Sequence, residues 1–229
     1  MKHGVLQLIG SFHQGGSERQ AVQLTRLLHE SGRYRVHVAA LDGEGVLRTE
    51  VERLGLGEIP SYPLTSFYDR NAVAQLRRFS GHLRKLNVSV VHAQDFYTNI
   101  FGMAAAALAR VPVRIASRRE SAIRSAAQRA VERASYRLAH AVVANCEEVR
   151  RQLIDEGVRA AKVVTLHNGL DMGRLTPPSG LSREGTLASF GLPTDDGRRF
   201  VTIVANLRLA LKDHPTFLRA ARRVRAAVP

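Results

Sequence analysis

The chain has 229 residues, 45% of them hydrophobic, and a formal net charge of +14 at pH 7. That content supports a sizeable core in one full domain plus a remainder, and it excludes a disordered chain. A single cysteine, Cys146, excludes an internal disulfide framework and suits the cytoplasm, while the longest apolar run, around Ile100 to Ala109, is about half a membrane span.

The stretch from Gly4 to Leu28 sets the pattern. Val5, Leu6, Leu8 and Ile9 form an apolar run too short for a helix and suited to a buried strand. The loop Gly10–Gly16 follows, with His13 inside it, and a helical pattern starts at once with Ala21, Leu24, Leu27 and Leu28 on one face. Ser17 is the expected N-cap, with Gln20 completing a capping box. Strand, glycine turn and capped helix aim free backbone N–H groups, at the positive end of a helix dipole, at something anionic. A plain tight turn is the alternative use of Gly15 and Gly16. Gly10-x4-Gly15-Gly16-Ser17 has the frame of a P-loop, but Gly16 stands where the phosphate-binding lysine belongs, so a nucleoside triphosphatase is excluded. The dinucleotide pattern G-x-G-x-x-G is absent as well.

Further along, strands are expected at Arg35–Leu41, Ile59–Leu64 (broken by Pro60 and Pro63), Val88–Ala93, Val113–Ser117, Ala141–Ala144 and Lys162–Leu166, seven with the first. Helices are expected at Val46–Leu54, Asn71–Leu86, Asn99–Arg110, Ser121–Leu138 and Cys146–Glu156, the last capped by Asn145 with Glu148 at the capping-box position. Alternating strands and helices predict an α/β domain, a Rossmann-like parallel sheet with helices on both faces. In such a sheet the groups just beyond the strand carboxyl ends face the ligand crevice. His92, Asp95 and Tyr97 follow one strand, and Arg118, Arg119 and Glu120 follow the next, so all six are pocket candidates. Loop packing, with Asp95 as a helix cap, is the plain alternative.

The charge is carried almost wholly by arginine, since Lys2, Lys85, Lys162 and Lys212 are the only lysines. It favours anionic partners: nucleotide phosphates, an acidic membrane face or nucleic acid. Arg129, Arg133 and Arg137 fall four apart on one helix face, which is either solvated or set against anionic lipid. No spacing of His, Cys and carboxylates resembles a metal site.

Gly173–Gly180, with Pro177 and Pro178, reads as a linker between a domain of residues 1–172 and a remainder of residues 181–229. In that remainder Leu181–Phe190 is an expected helix and Arg199–Leu207 an expected buried strand. The strand leads through Arg208 and Lys212 into a helix with Phe217, Ala221 and Val224 inward. One strand and its helices cannot cover both faces of Val201–Val204, so these residues read as the truncated start of a second α/β domain.

Five motifs, in this order, resemble those of the family-four retaining glycosyltransferases: GGSERQ, VVHAQD, AHAVVANCEEVRRQL, VVTLHNGLD and VANLRLALKDHPTFLRA. The resemblance implies a GT-B architecture of two Rossmann-like domains facing across a cleft, with residues 1–172 as the acceptor-side domain. It implies transfer of a sugar from a nucleoside diphosphate sugar to a sugar or lipid-linked acceptor hydroxyl with retention, in polysaccharide or glycolipid synthesis. Gly15 and Gly16, with Arg208 and Lys212, are then the donor-phosphate ligands, and no metal or other cofactor is needed. His13, His92, Asp95, Tyr97, Arg118, Arg119 and Glu120 become the acceptor pocket. A cytoplasmic enzyme, peripheral at the inner membrane face, is the expected setting.

The chain also departs from the family. Arg118-Arg119 stand where many members carry a histidine, so no catalytic residue is carried over, and the gap from Arg208 to Lys212 is one residue longer than is common. The paired glutamates that help hold the donor sugar are absent, so the 229 residues are expected to show no transferase activity alone. A sugar-nucleotide epimerase of the same architecture is the rival reading. A basic nucleic-acid module ranks below both, because no aromatic stacking platform or nucleic-acid motif accompanies the charge.

Overall fold

The computed structural model describes residues 2–120, 124–176, 180–194, 200–205, 207 and 212–227. The chain divides into two units, Met1–Leu170 and Asp171–Pro229.

The first unit is built on six parallel strands: β1 (His3–Ile9), β2 (Tyr34–Ala40), β3 (Val90–Ala93), β4 (Val113–Arg118), β5 (Ala141–Ala144) and β6 (Val163–Thr165). They are ordered β2-β1-β3-β4-β5-β6. Between them run α1 (Gly16–Glu30), α2 (Arg48–Glu52), α3 (Arg70–Lys85), α4 (Phe96–Leu108), α5 (Ala126–Leu138) and α6 (Glu147–Asp155). This is an open Rossmann-like α/β sheet, and its strands read as apolar runs because both faces are covered. The smaller core cluster joins Ile9, Phe12, Ala21, Val22, Val38 and Val51 beneath α1 and α2. The larger joins Leu6, Leu8, Tyr62, Phe79, Leu83, Phe101 and Met103 beneath α3 and α4.

Among the described residues six strands form, not seven. Ile59–Leu64 makes a single bridge, Ser61 opposite Ala40 on the outer edge of β2, with Ala40 N donating to Pro60 O and Tyr62 N to Ala40 O. Pro60 and Pro63 lack the N–H donors that a longer ladder needs. The helix starts also shift. Gly15, not Ser17, is the N-cap of α1. Asp95 caps α4 in a capping box with Thr98, starting it at Phe96. The box of Ser125 and Gln128 starts α5 at Ala126, and residues 121–123 of the expected helix lie outside the described residues. Cys146, not Asn145, is the N-cap of α6.

In the second unit, α7 (Met172–Leu175), α8 (Arg183–Ser189) and α9 (His214–Ala227) are described. The first falls on the expected linker, of which residues 177–179 lie outside the described residues. No strand forms at Phe200–Ala205, where Val201 is 81% and Val204 94% exposed. A strand needs a partner for its ladder, and the described residues of this unit contain no second strand. Ala221 and Val224 of α9 are likewise exposed rather than inward. Among the described residues no helix is long and apolar enough to cross a membrane.

The loop between β1 and α1 is pinned by its neighbour. Phe12 is fully buried, its N–H donates to Glu44 O, and Leu47 N donates back to Phe12 O. Between these bonds Gly45 has φ +126°, and a Cβ there would overlap the backbone of Phe12 and His13. Gly45→Ala is therefore expected to combine backbone strain with a backbone clash and to cost about 3 kcal/mol or more of stability. Thermal unfolding checks this, and an unchanged Tm would show the loop contact to be dispensable.

Candidate functional site

The strand order places the topological switch between β1, whose chain turns toward β2, and β3, which starts the series on the other side. In a sheet of this order the ligand crevice opens there, outside the carboxyl ends. The Gly10–Gly15 loop and Asp95 face each other across it: a Cβ on Gly10 would come within 2.5 Å of Asp95 Oδ2. The other oxygen, Oδ1, accepts from Tyr97 N at 2.9 Å and Thr98 N at 3.0 Å. Burial pushes the Asp95 carboxyl above the usual carboxylate range, and the hydrogen bonds from Thr98 and Tyr97 oppose that shift. The first-turn N–H groups of α1 have no intrahelical acceptor. Beside them Gly16 opens on free space, where a Cβ would meet nothing within 4 Å, whereas the Glu18 carboxylate covers Gly15.

Next to this crevice lies a buried polar network. Arg119 donates from Nη2 to Gln94 Oε1 at 3.0 Å and from Nη1 to Asn168 Oδ1 at 2.9 Å. A guanidinium only donates, so the Gln94 atom it meets is the oxygen. The Gln94 amide nitrogen therefore donates to Gln7 Oε1 at 2.6 Å and to His92 Nδ1 at 3.2 Å. His92 thus accepts at Nδ1, carries its proton on Nε2, and donates to Ser117 Oγ at 2.7 Å. Burial, with the Arg119 charge beside it, lowers the His92 pKa to about 3, so the ring is neutral. Asn99 holds β4 through Ser117 O at 2.8 Å and Ser117 N at 3.2 Å, and Asn145 Nδ2 donates to Arg119 O at 3.0 Å.

The other candidates fall in different surroundings. Tyr97, exposed, stacks on Phe67 at 5.8 Å and stands edge-on to Phe96. Arg124 covers the Phe96 ring at 4.3 Å and pairs with Glu120 at 2.8 Å, so Tyr97 and Glu120 share an aromatic rim. Arg118 is buried, with Nη1 and Nη2 on the two carboxylate oxygens of Glu156. His13 lies 3.8 Å from Asp42, both well exposed. Lys212 is exposed just ahead of α9, and Arg208 lies outside the described residues. Sequence patterns do not single out Gln7, Gln94, Asn99, Ser117 or Asn168 as members of a site. One signal exists for Gln7, a lone polar side chain in the apolar run Val5–Ile9.

These features define a Rossmann-like domain with a polar crevice at its switch point. Residues 14–174, more than half of the chain, match the profile of Glycosyltransferase Family 4, and the chain belongs to that family. No curated protein matches the sequence. Among solved structures, Alr3699/HepE of Anabaena in complex with UDP is similar, with a TM-score of 0.65 and 19% identity over 83% of this chain and 50% of that one. The same protein has been solved with UDP and glucose and with UDP-glucose. A glycosyltransferase from Rickettsia africae ESF-5 gives a TM-score of 0.66 and 15% identity over 85% of this chain and 51% of that one. The UDP-N-acetylglucosamine 2-epimerase from Rickettsia bellii gives 0.57 and 11% over 84% and 52%. The chain thus spans about half the length of these structures.

The neutral His92 ties stability to pH. An unfolded chain binds a proton at this ring below about pH 6.5, which the folded chain refuses until near pH 3. Its contribution is therefore complete above pH 6.5 and is lost as pH falls, by about 2 kcal/mol at pH 5. Urea unfolding at pH 7 and pH 5 should show His92→Asn losing less stability across that interval than the parent does. An identical loss in both proteins would mean that His92 titrates normally.

Proposed function

We propose that this chain provides the acceptor-side domain of a retaining glycosyltransferase that moves a sugar from a nucleoside diphosphate sugar to an acceptor hydroxyl. The carrying observation is the family match joined to the open start of α1 at the switch point, where an anion finds unpaired amides. As the glycosidic bond to the donor breaks, charge develops on the departing diphosphate, and amides at Gly15 and Gly16 stabilise it electrostatically. The Glu18 carboxylate lies over Gly15 and must turn aside for phosphate to reach that amide. Arg208 and Lys212 are further donor-phosphate ligands on the family resemblance alone. This reading assigns no metal. His13, Asp95, Tyr97, Arg118, Arg119 and Glu120 remain acceptor-pocket candidates. His92, neutral and engaged at both nitrogens, serves to position its neighbours.

UDP-sugar complexes of the similar Anabaena protein support a nucleotide-sugar donor here. The likeness to a UDP-N-acetylglucosamine 2-epimerase keeps a second reading, an epimerase that needs no separate acceptor. Product analysis with UDP-glucose or UDP-N-acetylglucosamine alone separates them, since an epimerase releases an altered or free sugar without acceptor. Gly16→Val fills open space and is expected to leave the fold intact while weakening UDP binding about tenfold. Unchanged UDP affinity in the folded variant would reject the phosphate role.

We further propose a cytoplasmic setting at the inner membrane face, in polysaccharide or glycolipid synthesis. Arg129, Arg133 and Arg137 form an exposed row on α5, suited to anionic headgroups. Changing all three to Gln should reduce binding to phosphatidylglycerol vesicles, most visibly at low salt. Equal binding by variant and parent would make the row a solvated face.

A further inference from the structure

Arg119 is a half-buried cation whose hydrogen-bond partners are all neutral. Its two contacts, Gln94 Oε1 and Asn168 Oδ1, are amide oxygens, and its Nε–H is buried without an acceptor. The carboxylates on the adjoining loops are committed elsewhere: Asp95 caps α4, Glu120 pairs with Arg124, and Glu156 pairs with Arg118. Among the described residues Arg119 has no ion pair, and burial alone acts on its pKa, lowering it. A guanidinium partly withdrawn from water, with its Nε–H fully buried and no counter-charge, carries a cost, and two hydrogen bonds to amides use only part of its five N–H donors. The charge also has a definite place. Arg119 follows β4, and its guanidinium reaches back over β3 to Gln94, which is bonded to Gln7 of β1, and to Asn168, beside the residue that Gln20 of α1 grips. Whether an anion there belongs to the acceptor or to the donor is decided by the UDP measurement below.

We infer that Arg119 anchors one anionic group, a carboxylate or a phosphate, carried by the acceptor. The inference rests on the reading of this domain as the acceptor side. The amides of Gln94 and Asn168 orient the guanidinium and leave its remaining donors to the anion, which supplies the missing charge. Such a site discriminates by charge: a neutral sugar in the same place leaves the cation unpaired.

The test is thermal unfolding in sodium phosphate against sodium chloride at equal ionic strength. Phosphate several times above its Kd should raise the Tm by about 2–4 °C. Arg119→Gln should lose that increment, and Arg77→Gln, on the exposed side of α3, should keep it. No increment in the parent, or the same increment in Arg119→Gln, overturns the proposal. On the unsubstituted chain the Arg119 Nε–H resonance should shift with added phosphate, and a signal that stays put overturns it even where the variant does not fold. Glucuronate and glucose 1-phosphate then distinguish a sugar acid from a phosphorylated acceptor as the source of the charge. UDP binding is measured separately: Arg119→Gln should retain the parent's affinity, and its loss would move the anion to the donor and overturn the assignment. Absence of UDP binding in the parent counts against the donor site and leaves the phosphate result to stand by itself.

Discussion

A guanidinium has donors and no acceptor, and at Arg119 that restriction orders the whole polar layer under the crevice. It turns the Gln94 oxygen toward itself, which turns the Gln94 nitrogen toward Gln7 and His92, which leaves His92 protonated at Nε2 toward Ser117. Each step removes a choice that an isolated side chain retains. Three strands are linked in this way through side chains as well as through their backbone ladder, since Gln7 lies on β1, His92 on β3 and Ser117 on β4. A buried network of this kind favours one arrangement over its alternatives, because any rotation strands a donor or an acceptor in low dielectric.

The glycine loop depends on a different constraint, close approach of backbone to backbone. Phe12 anchors it from below and the Gly45 turn clamps it from the side. The amides at the start of α1 are therefore held in place before any ligand arrives, which is the condition for electrostatic stabilisation without reorganisation. The loop and the start of α4 meet at Asp95, whose two oxygens serve different ends, one capping α4 and one lying against Gly10.

Much of this is legible from the residues. Branched apolar runs mark all six strands of the sheet, and their alternation with helical patterns marks the parallel fold. Ile59–Leu64 misleads because its apolar content outweighs two missing N–H donors. Phe200–Ala205 misleads because an apolar run becomes a strand only where a partner exists. The caps of α1 and α6 are misplaced because Ser17 already lies inside the helix and the Asn145 side chain donates to Arg119 O instead. Of the site, position is legible and partnership is not. Arg118 and Arg119 are neighbours of identical type, yet one is paired with Glu156 and the other with neutral amides. Only the fold decides which arginine meets the carboxylate.

One contact bears on how the domain is assembled. Gln20 of α1 donates to Gly169 O at 2.7 Å and accepts from Gly169 N at 3.0 Å, across 149 positions of sequence. The segment after β6 therefore returns along the sheet edge to the first helix, touching Arg119 through Asn168 on the way. A clasp between the opening and closing stretches of a domain cannot form until nearly all of it has left the ribosome. It belongs to the last events of folding. Because it grips backbone rather than a side chain, its chemistry survives most replacements at position 169, with proline the exception for want of an N–H.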